Sequence, residues 1–308
     1  MRFLNQIHLL TSKCIPVLMG GLLLGTLMAC GDDKSESLYL KVEGEGNVSG
    51  KTMRLISYNI LEGMKLDKAN NYNKFVSWVI DQDPDILALQ EANKFTQQSL
   101  EELAKRFNHP YVVTNIKTDD NYPVALTSKY PIQVVRKLTK NVSHGAIHAK
   151  INGVNLVILH LWPMSYGDKN GVYPDGDAYR LGEMTLFLDS TIRKYPEEPK
   201  WLVMGDFNSV SPLDSADLAG AANRNYQVHK HILASSLQDA LREHHNYFIR
   251  SCPTIYGGWV QNGTTGSRID FIYGTQAIMR DMTRSEILMD DFTHNYSDHY
   301  PAMVEYRN

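Results

Sequence analysis

From Thr52 onward the chain alternates short apolar runs with amphipathic segments. Apolar runs bounded by turn residues predict strands, and apolar residues at a spacing of 3.6 predict helices. The predicted strands cover residues 53–58, 85–89, 111–116, 122–128, 145–151, 154–161, 201–205, 269–273 and 302–306. The predicted helices cover a segment around 75–80 that ends before Asp83, then 96–107 and 178–195. The helices do not fall regularly between the strands, so the pattern favours a mixed α/β sandwich over a simple βα repeat.

The first 29 residues differ from the rest in carrying only two charges, Arg2 and Lys13, before an apolar stretch that runs to Ala29. This stretch is too short to span a bilayer and is typical of a secretory signal peptide. It ends in Leu27-Met28-Ala29-Cys30, which resembles the lipobox of bacterial lipoproteins. The resemblance implies a lipid on Cys30 and a place in the bacterial cell envelope, at the outer membrane or the cell surface. An ordinary signal peptide or a signal anchor is the alternative.

Composition sets the domain organisation of the remaining chain. Residues 30–50 are rich in Gly, Ser, Asp and Glu and predict a flexible tether, whereas no such linker interrupts residues 51–308, which predict one domain. Hydrophobic residues make up 43% of the 308, enough for a sizeable core. The net charge of −3 excludes a strongly basic protein, and three cysteines exclude a disulfide framework. We expect a monomer.

Polar side chains stand where the predicted strands stop. Five apolar runs lead directly into such residues, and a sixth polar cluster directly precedes the last strand. These positions are Asn59, Gln90-Glu91, His160, Asp206 with Asn208, Asp270, and Ser297-Asp298-His299. Functional residues commonly lie at strand ends and in the adjoining loops of a rigid scaffold. The pattern therefore predicts one shared cleft.

The residue types indicate metal-assisted chemistry. Glu91, Asp298 and Asn59 offer hard oxygen ligands and no thiolate, a set that suits Mg²⁺ or Mn²⁺. Each of them alone has a structural explanation as a turn residue or a surface carboxylate.

Catalytic groups are predicted from the same positions. Asp206 and Asn208 are two residues apart and would share one face of an extended chain. Asp206 alone is also explained by an Asx turn. Asp270 lies inside an apolar run and needs a partner, for which His299 is the candidate.

These motifs, in this order, resemble the endonuclease/exonuclease/phosphatase superfamily with the DNase I-like fold, over about residues 52–308. The matching motifs are Ser57-Tyr58-Asn59-Ile60, Leu89-Gln90-Glu91, His160, Gly205-Asp206-Phe207-Asn208, Arg268-Ile269-Asp270-Phe271 and Ser297-Asp298-His299. The resemblance implies a four-layer α-β-β-α sandwich with the active site at one edge. It also implies a role for eight residues: Asn59, Glu91 and Asp298 bind Mg²⁺ or Mn²⁺, His299 forms a catalytic dyad with Asp270, Asp206 orients or deprotonates water, and Asn208 and His160 contact the phosphate.

The resemblance implies a metal-dependent hydrolase of phosphate esters, phosphodiesterase or nuclease-like, in which water attacks in line, and the signal segment predicts that it is exported. A phospholipid or inositol-phosphate phosphoesterase, similar to sphingomyelinases, is the alternative. Leu61 and His160 place the chain away from the exonuclease III-like branch, which has an acidic residue and a tyrosine there. A non-catalytic surface binding protein on a hydrolase fold is the hypothesis from another class. Which of Asp206 and His299 is the general base stays open.

Other residues are predicted to be structural. Arg180 and Glu183 are expected to form an ion pair on a helix face, although Arg180 also fits a family pattern in which this residue buttresses the site. His144, His148, His244 and His245 are expected in surface clusters, with a metal role as the alternative, and Trp162 is expected in core or loop packing.

Overall fold

The computed structural model describes residues 50–117, 122–218, 220–255 and 266–308. The predicted signal peptide, Cys30 and the predicted tether up to residue 49 lie outside these ranges. None of the helices within them combines the length and apolar character that crossing a bilayer requires.

The described residues form twelve strands in two sheets of six. The strands are β1 (Thr52–Asn59), β2 (Ile86–Gln90), β3 (Tyr111–Thr114), β4 (Ala125–Ser128), β5 (Gln133–Leu138), β6 (Gly145–Ile151), β7 (Val154–His160), β8 (Trp201–Asp206), β9 (Leu237–Asp239), β10 (Asp270–Thr275), β11 (Met282–Ile287) and β12 (Ala302–Arg307). Sheet A has the order β11-β12-β1-β2-β4-β3 and sheet B the order β5-β6-β7-β8-β10-β9. Each sheet has one parallel pair at its centre, β1 with β2 and β7 with β8.

Eight helices connect these strands. They are α1 (Leu61–Met64), α2 (Asn73–Gln82), α3 (Gln97–Lys105), α4 (Gly176–Ser190), α5 (Gln227–Leu233), α6 (Ala240–His244), α7 (Gln276–Met279) and α8 (Asp291–Tyr296). Side-chain caps fix four of the starts: Thr96 before α3, Asp175 before α4, Asp239 before α6 and Asp290 before α8 each accept a hydrogen bond from a backbone amide in the first turn. Helix α2 ends as predicted, where Asp83 adopts a positive φ before a proline.

Three apolar clusters separate four layers. One lies between the sheets and includes Leu55, a second packs α2 and α3 against sheet A and includes Ile56, and a third packs α4 and α5 against sheet B. Leu55 and Ile56 serve different clusters because successive strand residues point to opposite faces. The predicted four-layer sandwich is confirmed.

The sequence missed three edge strands, β5, β9 and β11. Strands β5 and β11 have mostly half-buried or exposed residues and show no continuous apolar run, and β9 has only three residues. The long helix predicted over 178–195 is also corrected, because α4 begins at Gly176 and ends at Ser190. At one end of sheet A the amide of Gly50 donates to the carbonyl oxygen of Asn308 at 2.7 Å, so the first described residue meets the last.

Candidate active site

Three of the candidate residues lie side by side at the ends of three adjacent strands of sheet B. His160 ends β7 and Asp206 ends β8, and they are partners in the parallel ladder. Asp270 begins β10 and is the antiparallel partner of Asp206. Gly205 permits this close approach, since a Cβ there would lie 1.9 Å from the carbonyl oxygen of Leu159. The three side chains are buried.

Asn59, at the end of β1, joins the two sheets. Its Nδ2 donates to Glu91 Oε1 at 3.2 Å and to Asp206 Oδ2 at 3.0 Å. Its Oδ1 accepts from the amide of Leu61 at 3.1 Å, which establishes which amide atom faces the carboxylates. Glu91 follows β2, and its Oε2 accepts from the amide of Glu62 at 2.8 Å. The Asn59 side chain of sheet A is therefore hydrogen-bonded directly to the Asp206 carboxylate of sheet B.

His299 lies between two carboxylates. Its Nδ1 lies 2.8 Å from Asp270 Oδ2, and its Nε2 lies 3.8 Å from Asp206 Oδ2. Ser251 Oγ also donates to Asp270 Oδ2, at 2.7 Å. The predicted contact between His299 and Asp270 is present, and Nε2 is the ring nitrogen left toward Asp206. Their catalytic roles stay predictions.

Burial and neighbouring charges shift the pKa values of this group. Burial, reinforced by the charge of Asp270 and opposed by that of His299, raises the pKa of Asp206 to about 7. Burial lowers the pKa of His299, but the negative charges of Asp270 and Asp206 and the hydrogen bond to Asp270 outweigh it, so that the pKa lies well above its usual value. The imidazole is therefore charged at neutral pH, while Asp206 titrates near neutrality.

His160 has the opposite character. Burial, together with the positive charges of His144 and His299, holds its pKa well below the usual value. Its Nε2 lies 3.6 Å from Asp206 Oδ2. A neutral imidazole here can donate one N–H without adding a second positive charge beside His299.

One group of donors and, separately, one carboxylate are candidates for holding a cation. Asp206, Asp270 and His299 each offer one atom within 4.8 Å of the others. In that group, however, the imidazole is charged and bonded to Asp270, and a histidine must be neutral to bind a metal. The separate carboxylate is that of Asp298, whose Oδ1 is buried and accepts no hydrogen bond from the described residues. A buried carboxylate oxygen with no partner fits a hard cation better.

The model of the endonuclease/exonuclease/phosphatase family matches residues 56–299. The chain belongs to this family. Family membership supports hydrolysis of phosphoesters as its activity.

Similar solved structures share the fold. They include the 3′ phosphatase NExo from Neisseria bound to product DNA hairpin, at 19% identity over 82% of this chain and 99% of that chain with a TM-score of 0.63. An AP endonuclease from Archaeoglobus fulgidus has 18% identity over 83% of this chain and 100% of that chain, with a TM-score of 0.61. An endonuclease/exonuclease/phosphatase family protein from Bacteroides thetaiotaomicron has 16% identity over 82% of this chain and 94% of that chain, with a TM-score of 0.58. The comparison with curated proteins found no match.

One geometric prediction about this family member is wrong. Asp206 and Asn208 do not share the face of an extended strand, because Asn208 has a left-handed φ of 47° just beyond β8. Instead, the amide of Asn208 donates to Asp206 Oδ1 at 2.8 Å, which is the Asx turn that was the alternative. Asn208 Nδ2 donates to the carbonyl oxygen of Leu161 at 3.0 Å. The role of Asn208 at a phosphate stays a prediction.

Two structural predictions are also wrong. Arg180 pairs with Asp177 at 2.5 Å rather than with Glu183, because α4 turns both long side chains inward toward the loops beside the site. His144 and His148 are buried, not exposed. The ring of His144 lies 4.4 Å from that of His160, between ring centroids.

The sequence missed a buried cluster beside the site, which we call the Arg268 cluster: Arg268, Asp214, Asp239 and Arg242. Arg268 donates to Asp214 at 2.8 and 3.0 Å and to Asp239 at 2.8 and 2.6 Å. Arg242 Nε donates to Asp214 Oδ1 at 2.8 Å. Arg268 lies within the motif Arg268-Ile269-Asp270-Phe271, but its partners Asp214 and Asp239 are 54 and 29 residues away along the chain and follow no periodic pattern.

Proposed function

We propose that the protein is an exported, metal-dependent phosphodiesterase in which water attacks a phosphate ester in line. The observation that carries this proposal is the buried position of His299 between Asp270 and Asp206, with Asn59 linking Asp206 to Glu91. Positioned acids, bases and charges of this kind lower the barrier to such an attack. Membership of a phosphoester-hydrolase family supports the reaction class.

Asp206 is the proposed general base. A carboxylate whose pKa lies near 7 can take a proton from water and release it again at neutral pH. His299, held by Asp270 through Nδ1, directs its charged Nε2 toward the same place and stabilises negative charge on the phosphate. Neutral His160 donates a hydrogen bond to a phosphate oxygen.

Mg²⁺, with Mn²⁺ as the alternative, is the proposed cofactor. Glu91 and Asp298 would hold it with Asn59, and the unpartnered Oδ1 of Asp298 supports this choice. When bound, the cation supplies Lewis-acid stabilisation of a phosphate oxygen.

The proposed activity is tested with the purified chain and Mg²⁺ on bis(p-nitrophenyl) phosphate, DNA, RNA, phospholipids and inositol phosphates. We expect hydrolysis of at least one diester, its loss in excess EDTA, and its loss in the His299→Gln variant. A wild-type chain that binds these compounds but hydrolyses none would contradict the proposal and favour the binding-protein hypothesis. Full activity in EDTA would contradict the metal assignment alone.

We also propose that Cys30 carries a lipid that anchors the protein in the bacterial cell envelope. The support is the lipobox-like Leu27-Met28-Ala29-Cys30 after a short apolar stretch. Mass spectrometry of the native N-terminus should find an acylated Cys30 as the first residue. A retained Met1 or an unmodified Cys30 would contradict the anchor.

A further inference from the structure

A row of aromatic rings runs from the interior of the site to its rim. Starting from His160, the ring of His144 lies 4.4 Å away, that of Trp162 lies 6.1 Å from His144, and that of Tyr166 lies 5.5 Å from Trp162. Tyr122 also packs against His144, at 5.2 Å. We call Tyr122, His144, Trp162 and Tyr166 the aromatic wall. It begins at a buried imidazole and ends at Tyr166, which is 59% exposed.

Two buried charged side chains of α4 hold the wall in place. Glu183 is fully buried, and its carboxylate accepts from the amide of Ser143 at 2.6 Å and from the amide of Trp162 at 2.9 Å. Arg180 donates to the carbonyl oxygens of Trp162 at 2.8 Å and Met164 at 3.1 Å. Burying a carboxylate and a guanidinium is unfavourable unless both are hydrogen-bonded. Here both are used to fix the main chain of the two segments that carry His144 and Trp162.

At Trp162 the wall offers a flat apolar face without a free polar group. The indole Nε1 of Trp162 donates to the carbonyl oxygen of Tyr166 at 2.6 Å, so its one polar atom is already bonded. The half-buried Trp162 ring lies two residues after His160 along the chain. One ligand could therefore stack a ring on Trp162 and place its phosphate at His160.

Three of the described basic side chains near the wall are already bonded to protein groups. Arg180 binds carbonyl oxygens, Lys117 donates to the carbonyl oxygen of Val142 at 3.0 Å, and Lys65 pairs with Glu62 at 3.2 Å. A long nucleic-acid strand is held mainly by basic side chains on its phosphates. These contacts therefore favour one ring close to one phosphate over a polymer.

The rim of the wall does not suit a lipid surface. Met164, Tyr166 and Val172 are exposed, at 46%, 59% and 70%, but Asp168 and the exposed Lys169 lie between them in the same loop. Placing such charges in hydrocarbon is unfavourable. A planar ring stacked on the wall leaves them in water.

We propose that the aromatic wall is a subsite for a planar ring of the nucleobase class, carried by an alcohol of the phosphate ester. Trp162 determines the specificity, and Glu183 and Arg180 are positioning residues. The inference rests on the proposed phosphodiesterase function and assigns Trp162 a role beyond the packing that its sequence context predicts.

The test compares two ligands that differ only in the base, thymidine 5′-phosphate and 1,2-dideoxyribose 5-phosphate, in which a hydrogen replaces the base. Their binding to the full chain with Mg²⁺ is measured by calorimetry, which needs no catalysis. We expect the base to tighten binding about 5-fold or more, because stacking on an aromatic side chain is worth about 1–3 kcal/mol per base. Trp162→Leu should abolish the difference, and Trp162→Phe should keep it.

Two further variants separate positioning from stability. Glu183→Gln replaces one carboxylate oxygen with an NH₂, which cannot accept from both Ser143 and Trp162, so it should reduce the ratio of the two affinities. Tyr195→Ala removes an aromatic ring that packs on Trp201, at the opposite end of sheet B, and should leave the ratio unchanged.

Specific outcomes decide against the subsite. Equal affinities in the wild type, or equal weakening of both ligands by Trp162→Leu, would overturn it. So would loss of turnover on phosphatidylcholine vesicles in Trp162→Leu without any base effect, which would assign the loop to a lipid surface. A base effect in a chain that hydrolyses no phosphoester would instead remove the proposed function and leave the ring subsite standing. Binding of oligothymidylate far tighter than of the mononucleotide would overturn the choice of a single ring over a polymer.

Discussion

Two buried charge clusters meet at the start of β10, and they use the same kinds of side chain in different ways. The Arg268 cluster pairs two guanidinium groups with two carboxylates at hydrogen-bond distances of 2.6 to 3.0 Å. The His299 cluster, which consists of His299, Asp270 and Asp206, sets two carboxylates against one imidazole. Its second contact, from His299 Nε2 to Asp206, is 3.8 Å long.

The pKa values reflect this difference. Burial lowers the pKa of Arg268, but the negative charges of Asp239 and Asp214 outweigh it and raise that pKa above its usual value, so this guanidinium keeps its charge. In the His299 cluster, burial with too little compensating charge leaves Asp206 with a pKa of about 7. Complete pairing thus fixes a structure, whereas incomplete pairing keeps a group able to exchange protons.

The largest expected effect is on turnover in the His299 cluster. His299→Ala and Asp270→Asn should each lower kcat by about 10²- to 10⁴-fold, because a positioned acid–base group or its orientation is lost. The double variant should lose little more than either single one, because the pair acts as a unit. Steady-state kinetics on the active diester measures this, with the Tm of each variant as the control for folding. Losses that multiply would show that the two residues act independently.

Substitution in the Arg268 cluster should lower the stability of the fold. Arg268→Met leaves Asp214 and Asp239 buried without their main cation and should lower the free energy of unfolding by about 3–5 kcal/mol. Urea denaturation measures the change. The matched control is Arg284→Met, which breaks a largely exposed pair with Glu286 and should cost less than about 1 kcal/mol. Equal effects of the two substitutions would contradict the structural role of the Arg268 cluster.

Asp206 should make the stability depend on pH. Its pKa is about 7 in the folded chain and about 3.9 when unfolded, so between these values the unfolded chain ionises first. Wild-type stability should therefore fall relative to Asp206→Asn as the pH rises from 4 to 7, by up to about 4 kcal/mol. Urea denaturation at pH 4, 5.5 and 7 gives the two curves. Parallel curves would show that Asp206 is ionised throughout.

The smallest effect is expected at Ser251, which stands between the clusters. Its Oγ donates to Asp270 and accepts from the amides of Ile269 and Asp270 at 3.0 Å. Ser251→Ala should lower the free energy of unfolding by about 1–3 kcal/mol. It should also reduce kcat less than Asp270→Asn does, because the bond between His299 and Asp270 remains. A kcat loss as large as that of Asp270→Asn would assign Ser251 the main part in orienting the dyad.

The centre of the fold could be predicted because its strands are buried on both faces and read as continuous apolar runs. The parallel pairs of β1 with β2 and β7 with β8 belong to this class. Strands β5 and β11 could not be predicted, because an edge strand with half-exposed residues lacks both a continuous run and a regular alternation.

The site divides in the same way. The contact of His299 with Asp270 follows from a carboxylate inside an apolar strand, which must find a partner. The turn at Asn208 depends on a local left-handed φ that the motif does not reveal. The partners of Arg268 could not be found, because contacts across dozens of residues leave no spacing in the sequence.

The junction of Gly50 with Asn308 has a practical consequence. These residues lie at the end of β1 opposite Asn59, and a strand of eight residues is about 25 Å long. When the chain is attached to a sensor surface through a linker at either of these residues, the opposite strand ends, which carry the candidate active site, therefore face the solution. The same adjacency allows a short peptide to join residue 308 to residue 50, so that new termini can be opened in a distant surface loop without disturbing either sheet.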